Sequence, residues 1–366
     1  MIKVMTIFGT RPEAIKMAPL VKELDSREEI ESIVCVTAQH REMLDQVLEV
    51  FDIKPNYDLN VMKQGQTLSE ITSRVLMGLE EVIKKEKPNI ILVHGDTTTT
   101  FAGALAAFYN QVDIGHVEAG LRTWNKYSPF PEEMNRQMVD RMTDLYFAPT
   151  EVSKNNLLME NIDESKIYVT GNTAIDAMKT TVMDNYSHEV LDWVGNDRLI
   201  LLTAHRRENL GEPMRHIFRA IKRIVLEYPN VKVVYPIHLN PKVREVANEV
   251  FDGIDRVKLI EPLEVIDFHN FQNKSYIILT DSGGIQEEAP SLGKPVLVLR
   301  DTTERPEGIQ AGTLKLVGTD EETVYKETKK LLDNKNEYEK MSMASNPYGD
   351  GFASKYIVDV ILEKYK

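Results

Sequence analysis

Short apolar runs alternate along the chain with longer stretches in which apolar residues recur every three or four positions. The first pattern is typical of buried strands and the second of amphipathic helices. Residues 3–8 form the first predicted strand, and a helix to about Leu24 follows, with Thr10 and Glu13 at capping-box spacing. Further strands are predicted over 32–37, 90–94, 114–117, 145–148, 167–170, 199–203, 231–235, 257–260, 276–279 and 295–299.

The alternation is interrupted at Gly171-Asn172-Thr173 and then restarts, so we expect two domains joined there. Strands that alternate with helices form parallel sheets covered by helices on both faces. The predicted fold class is therefore α/β, with two doubly wound, Rossmann-like domains facing each other across a cleft. We predict an N-terminal domain over 1–171, a C-terminal domain over 172–351, and a C-terminal helix over 352–366 that packs back on the first domain.

The composition and net charge of the chain argue against several classes of protein. Charged residues make up 28% and hydrophobic residues 42%, as in an ordinary globular protein. A net charge of −13 argues against a broad basic surface for nucleic acid. Cys35 is the only cysteine, which excludes a disulfide framework and a cysteine-based metal site. No apolar run approaches the ~20 residues of a membrane span, and the N-terminus lacks a signal-peptide pattern. We therefore expect a cytoplasmic protein that binds neither nucleic acid nor a membrane.

Unusual polar residues cluster at the predicted C-terminal ends of strands, where ligands of doubly wound sheets bind. These residues are Arg11, Asp96, Glu118, His205, His238, Ser282 and the run 300–305. Random scatter would not place so many of them in strand-end loops, so the pattern predicts a ligand site there.

Most of these positions also allow a plainer interpretation. Arg11 can be a surface charge at a helix start, and Lys16 can face either the site or solvent. Glu132 can simply favour a helix N-terminus, and Arg136 can pair with it one turn later. His205 can be a core histidine, although two adjacent arginines make that less attractive.

The stretch from Thr280 to Glu288 is the strongest single signal. An apolar run leads into it, Ser282-Gly283-Gly284 breaks the pattern, and a helical pattern follows with Glu287 and Glu288 in its first turn. Backbone N–H groups at a helix start can bind a phosphate, and Glu288 can accept hydrogen bonds from ribose hydroxyls. A glycine-rich turn with a solvated glutamate explains this stretch equally well on its own.

Several familiar motifs are missing from the sequence. No Gly-x-Gly-x-x-Gly opens a βαβ unit, Gly293-Lys294 lacks the P-loop spacing, and no group of residues has convincing metal-ligand spacing. We therefore predict that the protein uses no cofactor and no metal.

Taken together, the motifs resemble those of the non-hydrolysing UDP-N-acetylglucosamine (UDP-GlcNAc) 2-epimerases of bacteria. The resemblance runs from the first strand to about residues 346–351, and in combination its motifs are highly specific. They are Gly9-Thr10-Arg11-Pro12-Glu13, Val93-His94-Gly95-Asp96-Thr97, Gly115-His116-Val117-Glu118-Ala119-Gly120-Leu121-Arg122, Pro131-Glu132-Glu133, Ala204-His205-Arg206-Arg207-Glu208 and Asp281-Ser282-Gly283-Gly284-Ile285-Gln286-Glu287-Glu288.

The resemblance implies a GT-B fold, a homodimer, and interconversion of UDP-GlcNAc and UDP-N-acetylmannosamine (UDP-ManNAc) for cell-surface polysaccharide synthesis. It further implies a role for each matching residue. The catalytic set is Asp96, Glu118, Glu132, Lys16 and His205; the UDP-sugar contacts are Arg11, Arg136, Ser282, Gly283, Gly284 and Glu288; a second, activating UDP-GlcNAc site takes Gln39, Gln66, Glu132, Arg206 and His238.

The chemistry points to one route. C2 of an N-acetylhexosamine is not next to a carbonyl carbon, and without a nicotinamide cofactor oxidation at C3 is unavailable. Elimination of UDP to 2-acetamidoglucal, followed by re-addition, then needs a base on one face of C2 and an acid on the other. Which carboxylate serves which face stays open. Two alternatives remain: a GT-B UDP-sugar glycosyltransferase and a non-catalytic UDP-sugar sensor.

Overall fold

The computed structural model of the chain describes residues 1–37, 41–61, 63, 65–303 and 305–366. These residues divide into two compact units. One contains Met1–Lys179 together with Tyr348–Lys366, and the other contains Thr180–Pro347. In each unit a parallel sheet lies between layers of helices.

Within its described residues, the first unit has a seven-stranded sheet in the order β3-β2-β1-β4-β5-β6-β7, with every pair parallel. The elements up to the unit boundary are β1 (Ile2–Phe8), α1 (Arg11–Asp25), β2 (Ile30–Val36), α2 (Arg41–Val50), β3 (Tyr57–Asp58), α3 (Leu68–Glu86), β4 (Ile90–His94), α4 (Thr98–Tyr109), β5 (Asp113–Val117), α5 (Glu132–Met142), β6 (Leu145–Ala148), α6 (Glu151–Met159), β7 (Ile167–Val169) and α7 (Thr173–Thr181).

The described part of the second unit has a six-stranded sheet in the order β10-β9-β8-β11-β12-β13, again parallel throughout. Its elements are α8 (Glu189–Val194), β8 (Arg198–Thr203), α9 (Glu212–Glu227), β9 (Val231–Pro236), α10 (Pro241–Phe251), β10 (Val257–Ile260), α11 (Val265–Lys274), β11 (Ile277–Thr280), α12 (Gly283–Glu288), β12 (Val296–Val298), α13 (Pro306–Ala311), β13 (Leu314–Leu316), α14 (Glu321–Asp333) and α15 (Lys335–Ser342).

The last helix, α16 (Ala353–Lys364), belongs to the first unit. It packs against α1, and its Ile357, Val358 and Ile361 are fully buried in the same core as Met17 and Leu20 of α1. Apolar side chains on one face of each helix thus cover one face of the sheet. Among the described residues, no helix combines the length and apolarity needed to cross a membrane.

The α/β prediction is confirmed, because both sheets are parallel and strands alternate with helices. The predicted boundary between residues 171 and 172 falls just before α7, whereas the compact units divide near the end of that helix. The domain limits, the cleft between the domains and the cytoplasmic location stay predictions.

Candidate functional site

The strand order reverses at one point in each sheet, between β1 and β4 and between β8 and β11. Ligands of open parallel sheets bind outside the C-terminal strand ends at such points. The first reversal places the loop after Phe8 beside the loop after His94. The second places the loop after Thr203 beside the loop after Thr280. The predicted site residues therefore form two groups, one in each unit.

Glu118 is the centre of the group in the first unit. Nζ of Lys16 donates to both carboxylate oxygens, at 2.8 Å to Oε1 and 3.0 Å to Oε2. Nε2 of His94 lies 3.0 Å from Oε2, and Nδ2 of Asn172 donates to Oε1 at 3.4 Å. The side chains of Glu118 and His94 are only 8% and 5% exposed. One buried carboxylate thus has three polar neighbours from different parts of the chain.

The backbone of Glu118 has an unusual conformation, which sets the direction of its side chain. β5 ends at Val117, and Glu118 has a φ of 69°, in the left-handed region that non-glycine residues rarely adopt. The N–H groups of Glu118 and Ala119 both donate to the carbonyl of Phe147, each at 3.1 Å. Backbone strain of this kind is of order 1–3 kcal/mol and is often found at functional sites.

The neighbours of Glu118 decide its charge. Burial acts to raise the pKa of this carboxyl group, but the positive charge of Lys16 and the contact with His94 lower it well below its usual value. Glu118 is therefore ionised at neutral pH. The sequence identified Glu118 and Lys16 as candidates but not His94, whose position inside a strand is typical of a core residue.

Asp96 lies in the loop after β4 and is paired with Arg136 from α5. Nη2 of Arg136 donates to Oδ2 of Asp96 at 2.6 Å, and Nη1 lies 3.5 Å from Oε2 of Glu133. The interpretation that Arg136 pairs with Glu132 is wrong, because Asp96 and Glu133 are its carboxylate neighbours. Glu132, the first residue of α5, makes no side-chain hydrogen bond or ion pair with a described residue.

Glu13 joins the two loops of this site, which the sequence did not predict. It is 2% exposed, and its Oε2 accepts the N–H groups of Gly9 and Thr10 at 3.1 and 2.8 Å. Its Oε1 accepts hydrogen bonds from the hydroxyls of Thr97 and Thr100 at 2.7 and 3.1 Å. The capping-box spacing indicated the contact with the N–H of Thr10. The second pair is long-range and has no local sequence signal.

A second buried network fixes the peptide beneath the site. Nε2 of His116 is 2.7 Å from the carbonyl of Gly95, and its Nδ1 is 2.6 Å from Oδ1 of Asp140. Nη2 of Arg122 donates to Oδ2 of Asp140 at 2.7 Å. Burial tends to raise the pKa of Asp140, but His116 and Arg122 lower it overall. This network holds the Gly95 loop, and so orders the backbone between His94 and Asp96.

Asp281 organises the group in the second unit. Its buried Oδ2 accepts the N–H groups of His205 and Arg206 at 2.8 and 2.9 Å and the amide of Asn209 at 3.0 Å. The ring of His205 stacks on that of His238, with centroids 5.4 Å apart. Burial lowers the pKa of His205, Asp281 opposes this, and His238 and Arg206 lower it further. His205 is therefore neutral at pH 7.

The helix after Ser282 differs from the sequence expectation. The expectation that Glu287 and Glu288 lie in its first turn is wrong, because α12 begins at Gly283 and ends at Glu288. Gly283 is the first residue of the helix, and its lack of a side chain leaves space for Arg305. A Cβ at this position would lie 2.7 Å from Nη1 of Arg305. Arg305 in turn donates from Nε to Oε1 of Glu287 at 2.8 Å. The guanidinium of Arg305 thus lies next to the N-terminus of α12.

Glu288 is held from one side. Nε2 of Gln272 donates to its Oε2 at 2.8 Å, and Nε2 of His269 lies 3.8 Å from the same oxygen. Oε1 of Glu288 would be 3.6 Å from a Cβ placed on Gly284, which is an ordinary contact distance. Gln272 and His269, both buried, therefore orient Glu288 and were not predicted from the sequence.

The remaining candidates are more dispersed. Arg11 is the first residue of α1. Gln66 accepts hydrogen bonds at Oε1 from the N–H of Lys63 and from Arg74, both at 3.2 Å. Gln39 lies outside the described residues. Over the part of the chain that the structure describes, no group of three or more His, Cys, Asp or Glu side chains could hold a metal ion.

The fold and the two strand-end groups define a GT-B-like α/β protein with a buried, ionised carboxylate in one unit and a glycine-started helix in the other. A family model described as UDP-N-acetylglucosamine 2-epimerase matches residues 22–362, which is most of the chain. The chain belongs to the UDP-N-acetylglucosamine 2-epimerase family. The family resemblance seen in the sequence is thus confirmed.

Similar proteins cover the whole chain. The UDP-N-acetylglucosamine 2-epimerase of Bacillus subtilis (strain 168) is 69% identical over 364 residues, covering 100% of this chain and 96% of that protein. The structure of S. aureus MnaA with UDP has a TM-score of 0.91 and 61% identity, covering 99% of this chain and 96% of that one. The Neisseria meningitidis UDP-GlcNAc 2-epimerase bound to UDP-GlcNAc has a TM-score of 0.89 and 52% identity, with 99% and 100% coverage.

Proposed function

We propose that this protein is an isomerase that reversibly converts UDP-GlcNAc to UDP-ManNAc by inverting C2 of the sugar. The observation that carries the proposal is the Lys16–Glu118–His94 cluster, which keeps a buried carboxylate ionised at the end of β5, next to the strand-order reversal between β1 and β4. Family membership over almost the whole chain supports the same activity. Supply of ManNAc units for cell-surface polysaccharide synthesis is the role that we expect for the product.

The reaction proceeds by elimination and re-addition. A carboxylate takes the C2 proton, the C–H electron pair forms the C1=C2 double bond, and the C1–O bond breaks with its electrons leaving on UDP. The intermediate is 2-acetamidoglucal. An oxygen of UDP then re-adds to C1, and C2 receives a proton on its other face. The site must therefore supply a base, an acid and fixed donors for the departing diphosphate.

Three carboxylates of the first unit are the candidates for proton transfer. Glu118 is ionised by Lys16 and His94, and Asp96 is paired with Arg136. Glu132 starts α5 without a side-chain partner among the described residues. Their surroundings differ strongly, which is the condition for one carboxyl group to act as acid while another acts as base. A pair drawn from these three serves the two faces of C2.

The second unit supplies most of the nucleotide contacts in this proposal. The helix start at Ser282, Gly283 and Gly284, with Arg305 beside it, suits a diphosphate, because backbone N–H groups and a guanidinium both favour negative charge. Glu288, oriented by Gln272, suits the ribose hydroxyls. His205 and Arg11 complete the predicted contacts to the UDP moiety and its leaving oxygen.

The direct test is to incubate the purified protein with UDP-GlcNAc alone and follow the sugar signals by ¹H NMR. We expect UDP-ManNAc to accumulate until a constant ratio is reached from either sugar. A glycosyltransferase would release UDP only when an acceptor is added, and a sensor would bind the nucleotide sugar without changing it. Either of these results would overturn the proposal.

We also propose a second UDP-GlcNAc site that activates the enzyme and includes Gln39, Gln66, Glu132, Arg206 and His238. In support, Arg206 and His238 lie beside His205, through Asp281 and the ring stack respectively. UDP-ManNAc should therefore turn over with a lag that traces of UDP-GlcNAc abolish. Full initial rate with UDP-ManNAc alone would contradict the second site.

A homodimer is the assembly that we propose. Several large apolar side chains are exposed on α3 and α4, two helices that pack against each other, and exposed apolar surface is a feature of protein–protein contact sites. They are Leu68, Met77, Phe108 and Tyr109, and Tyr109 is 65% exposed. Sedimentation equilibrium should give twice the mass of the chain, and Tyr109→Asp should shift it toward the monomer. A monomeric wild-type protein would contradict this assembly.

A further inference from the structure

The two segments by which the chain leaves and re-enters the first unit touch each other. The chain leaves this unit after Lys179 and returns at Tyr348. The N–H of Asn172 donates to the carbonyl of Tyr348 at 2.7 Å. Beside it, Gly171 and Gly349 have φ values of 87° and 115°, and a Cβ on Gly171 would lie 3.1 Å from the Cα of Gly349. The two backbones are therefore in direct contact.

More bonds tie the same two segments together a little further along the chain. Asp176 of α7 accepts the N–H groups of Ala353 and Ser354 at 3.2 and 2.7 Å, which caps α16. Nζ of Lys179 lies 3.4 Å from the ring centroid of Phe352. Because of these contacts, the segment that leaves the first unit and the segment that returns to it form one structural piece.

Asn172 connects this piece to the predicted catalytic carboxylate. It is 3% exposed, and three of its polar groups make contacts in different directions. Its N–H contacts Tyr348, its Oδ1 accepts the N–H of Ala174 at 2.9 Å at the start of α7, and its Nδ2 donates to Oε1 of Glu118 at 3.4 Å. Only the Nδ2 contact requires an amide, because the other two are available to many residues that start a helix.

We infer that Asn172 is a positioning residue for Glu118. Its side-chain amide fixes the Glu118 carboxylate relative to the two segments that connect the units. This inference rests on the proposed epimerase function. Lys16 from α1 and His94 from β4 are the charged and titratable groups that face Glu118, and they enter from other elements. Asn172 is the neighbour that links the carboxylate to the connecting segments, so movement of those segments changes the position of Glu118.

Two substitutions separate this role from simple helix capping. Asn172→Ser keeps an oxygen that can cap α7 but removes the amide donor. Asn172→Asp also keeps the cap, but it places a second negative charge near Glu118. Asn334 provides a matched control, since its Oδ1 accepts the N–H groups of Asn336 and Glu337 at the start of α15, and it is exposed. Asn334→Ser and Asn334→Asp therefore test the loss of an asparagine cap alone.

The measurements are kcat and KM for UDP-GlcNAc from pH 9 down to about pH 3, so that the titration of Glu118 lies within the range, together with the Kd of UDP and the thermal unfolding temperature. We expect kcat to fall about 3- to 10-fold in Asn172→Ser and about 10²-fold in Asn172→Asp, from one lost hydrogen bond and one added like charge. The Kd of UDP should stay unchanged, because Asn172 is not one of its predicted contacts. The control variants should match the wild type.

The pH profile decides between positioning and structure. Losing a donor, or gaining a nearby negative charge, disfavours ionised Glu118, so the acid limb of kcat should move to higher pH, further in Asn172→Asp than in Asn172→Ser. Wild-type kcat in both variants, or a lower kcat with an unmoved acid limb, would overturn the inference. If the wild-type protein itself fails to epimerise UDP-GlcNAc, the proposed function fails instead, and the two failures are thus distinguishable.

Discussion

Arg136 donates from Nη2 to Oδ2 of Asp96 at 2.6 Å, and this ion pair joins helix α5 to the loop that follows β4. The arginine side chain is 9% exposed and that of the aspartate 26% exposed, so the pair is partly shielded from solvent. Asn135 precedes Arg136 in α5, and its side-chain Nδ2 donates to the backbone carbonyl of Asp96 at 2.9 Å. Two successive residues of one helix therefore fix both the backbone and the carboxylate of Asp96.

This pair predicts the effect of Arg136→Gln. Without the guanidinium the Asp96 carboxylate loses its fixed position, and kcat should fall about 10²-fold, the scale for a misplaced reacting group. The free energy of unfolding should fall by about 1–3 kcal/mol, measured by urea denaturation, because a hydrogen bond between charged groups is lost. Arg141→Gln is the control, since Arg141 lies on the same helix and its side chain is 59% exposed. Equal effects in both variants would refute a specific role for Arg136.

The histidine stack predicts a shift that NMR can measure. His238 helps to lower the pKa of His205 below its usual value, so His238→Gln should raise the pKa of His205. In the wild type the unfolded state takes up this proton first as the pH falls through about 6.5, so His205 makes stability decrease toward lower pH. His238→Gln should weaken that decrease. The control is His216→Gln, a histidine on α9 whose side chain is 43% exposed, and it should leave the titration of His205 unchanged. A shift of the His205 titration in this control would contradict the account.

The close approach of Arg305 to Gly283 predicts the effect of Gly283→Ala. The added methyl would lie 2.7 Å from Nη1 of Arg305, so the guanidinium must move away from the helix start. We expect the Kd of UDP to rise about 10-fold, as for the loss of a charge-assisted hydrogen bond. Folding should be largely retained because a flexible side chain can yield. Gly78→Ala, in α3 next to the side chain of Leu59, should leave the Kd unchanged. Unaltered UDP binding by Gly283→Ala would remove Arg305 from the nucleotide site.

Local sequence patterns predicted most of the elements but missed β3, α7, α8, α11, α13 and β13, and several of these omissions have a physical reason. β3 has only two residues, too few for any alternation. α7 was missed because Gly171-Asn172 indicated an interruption of the strand–helix pattern. Asn172 in fact lies just before α7 and caps it. α13 and β13 were also missed, and they are short, with six and three residues.

Residues with distinctive chemistry at strand ends were predictable, and their partners were not. Capping-box spacing identified Glu13 as a local cap but gave no signal for its bonds to Thr97 and Thr100. His94 is part of a strand, and Asn172 is part of an apparent hinge. Both reach Glu118 only because β4 and β5 are neighbours and the chain returns past residue 171. Long-range contacts of this kind depend on sheet order, which local patterns do not determine.

The predicted carboxylates allow a test that preserves shape. Asp96→Asn and Glu118→Gln should each lower kcat by about 10²–10⁴-fold, the usual scale for a positioned acid or base. The Kd of UDP should change little, because the main predicted contacts to its phosphate and ribose lie between Ser282 and Glu288. A variant that re-adds UDP more slowly than it eliminates should release 2-acetamidoglucal during long incubations. Glu151→Gln, an exposed carboxylate at the start of α6, is the control. Wild-type rates in both site variants would refute the assignment.

The most direct test of elimination at C2 is mass spectrometry of the product formed in deuterated water. Breaking the C2–H bond gives the proton to a carboxylate that exchanges with solvent, and re-addition then delivers a solvent-derived proton to the opposite face. We predict that UDP-ManNAc made from UDP-GlcNAc in deuterated water gains one deuterium, and that NMR places it at C2. A product that forms at the normal rate with no deuterium at C2 would contradict the elimination mechanism.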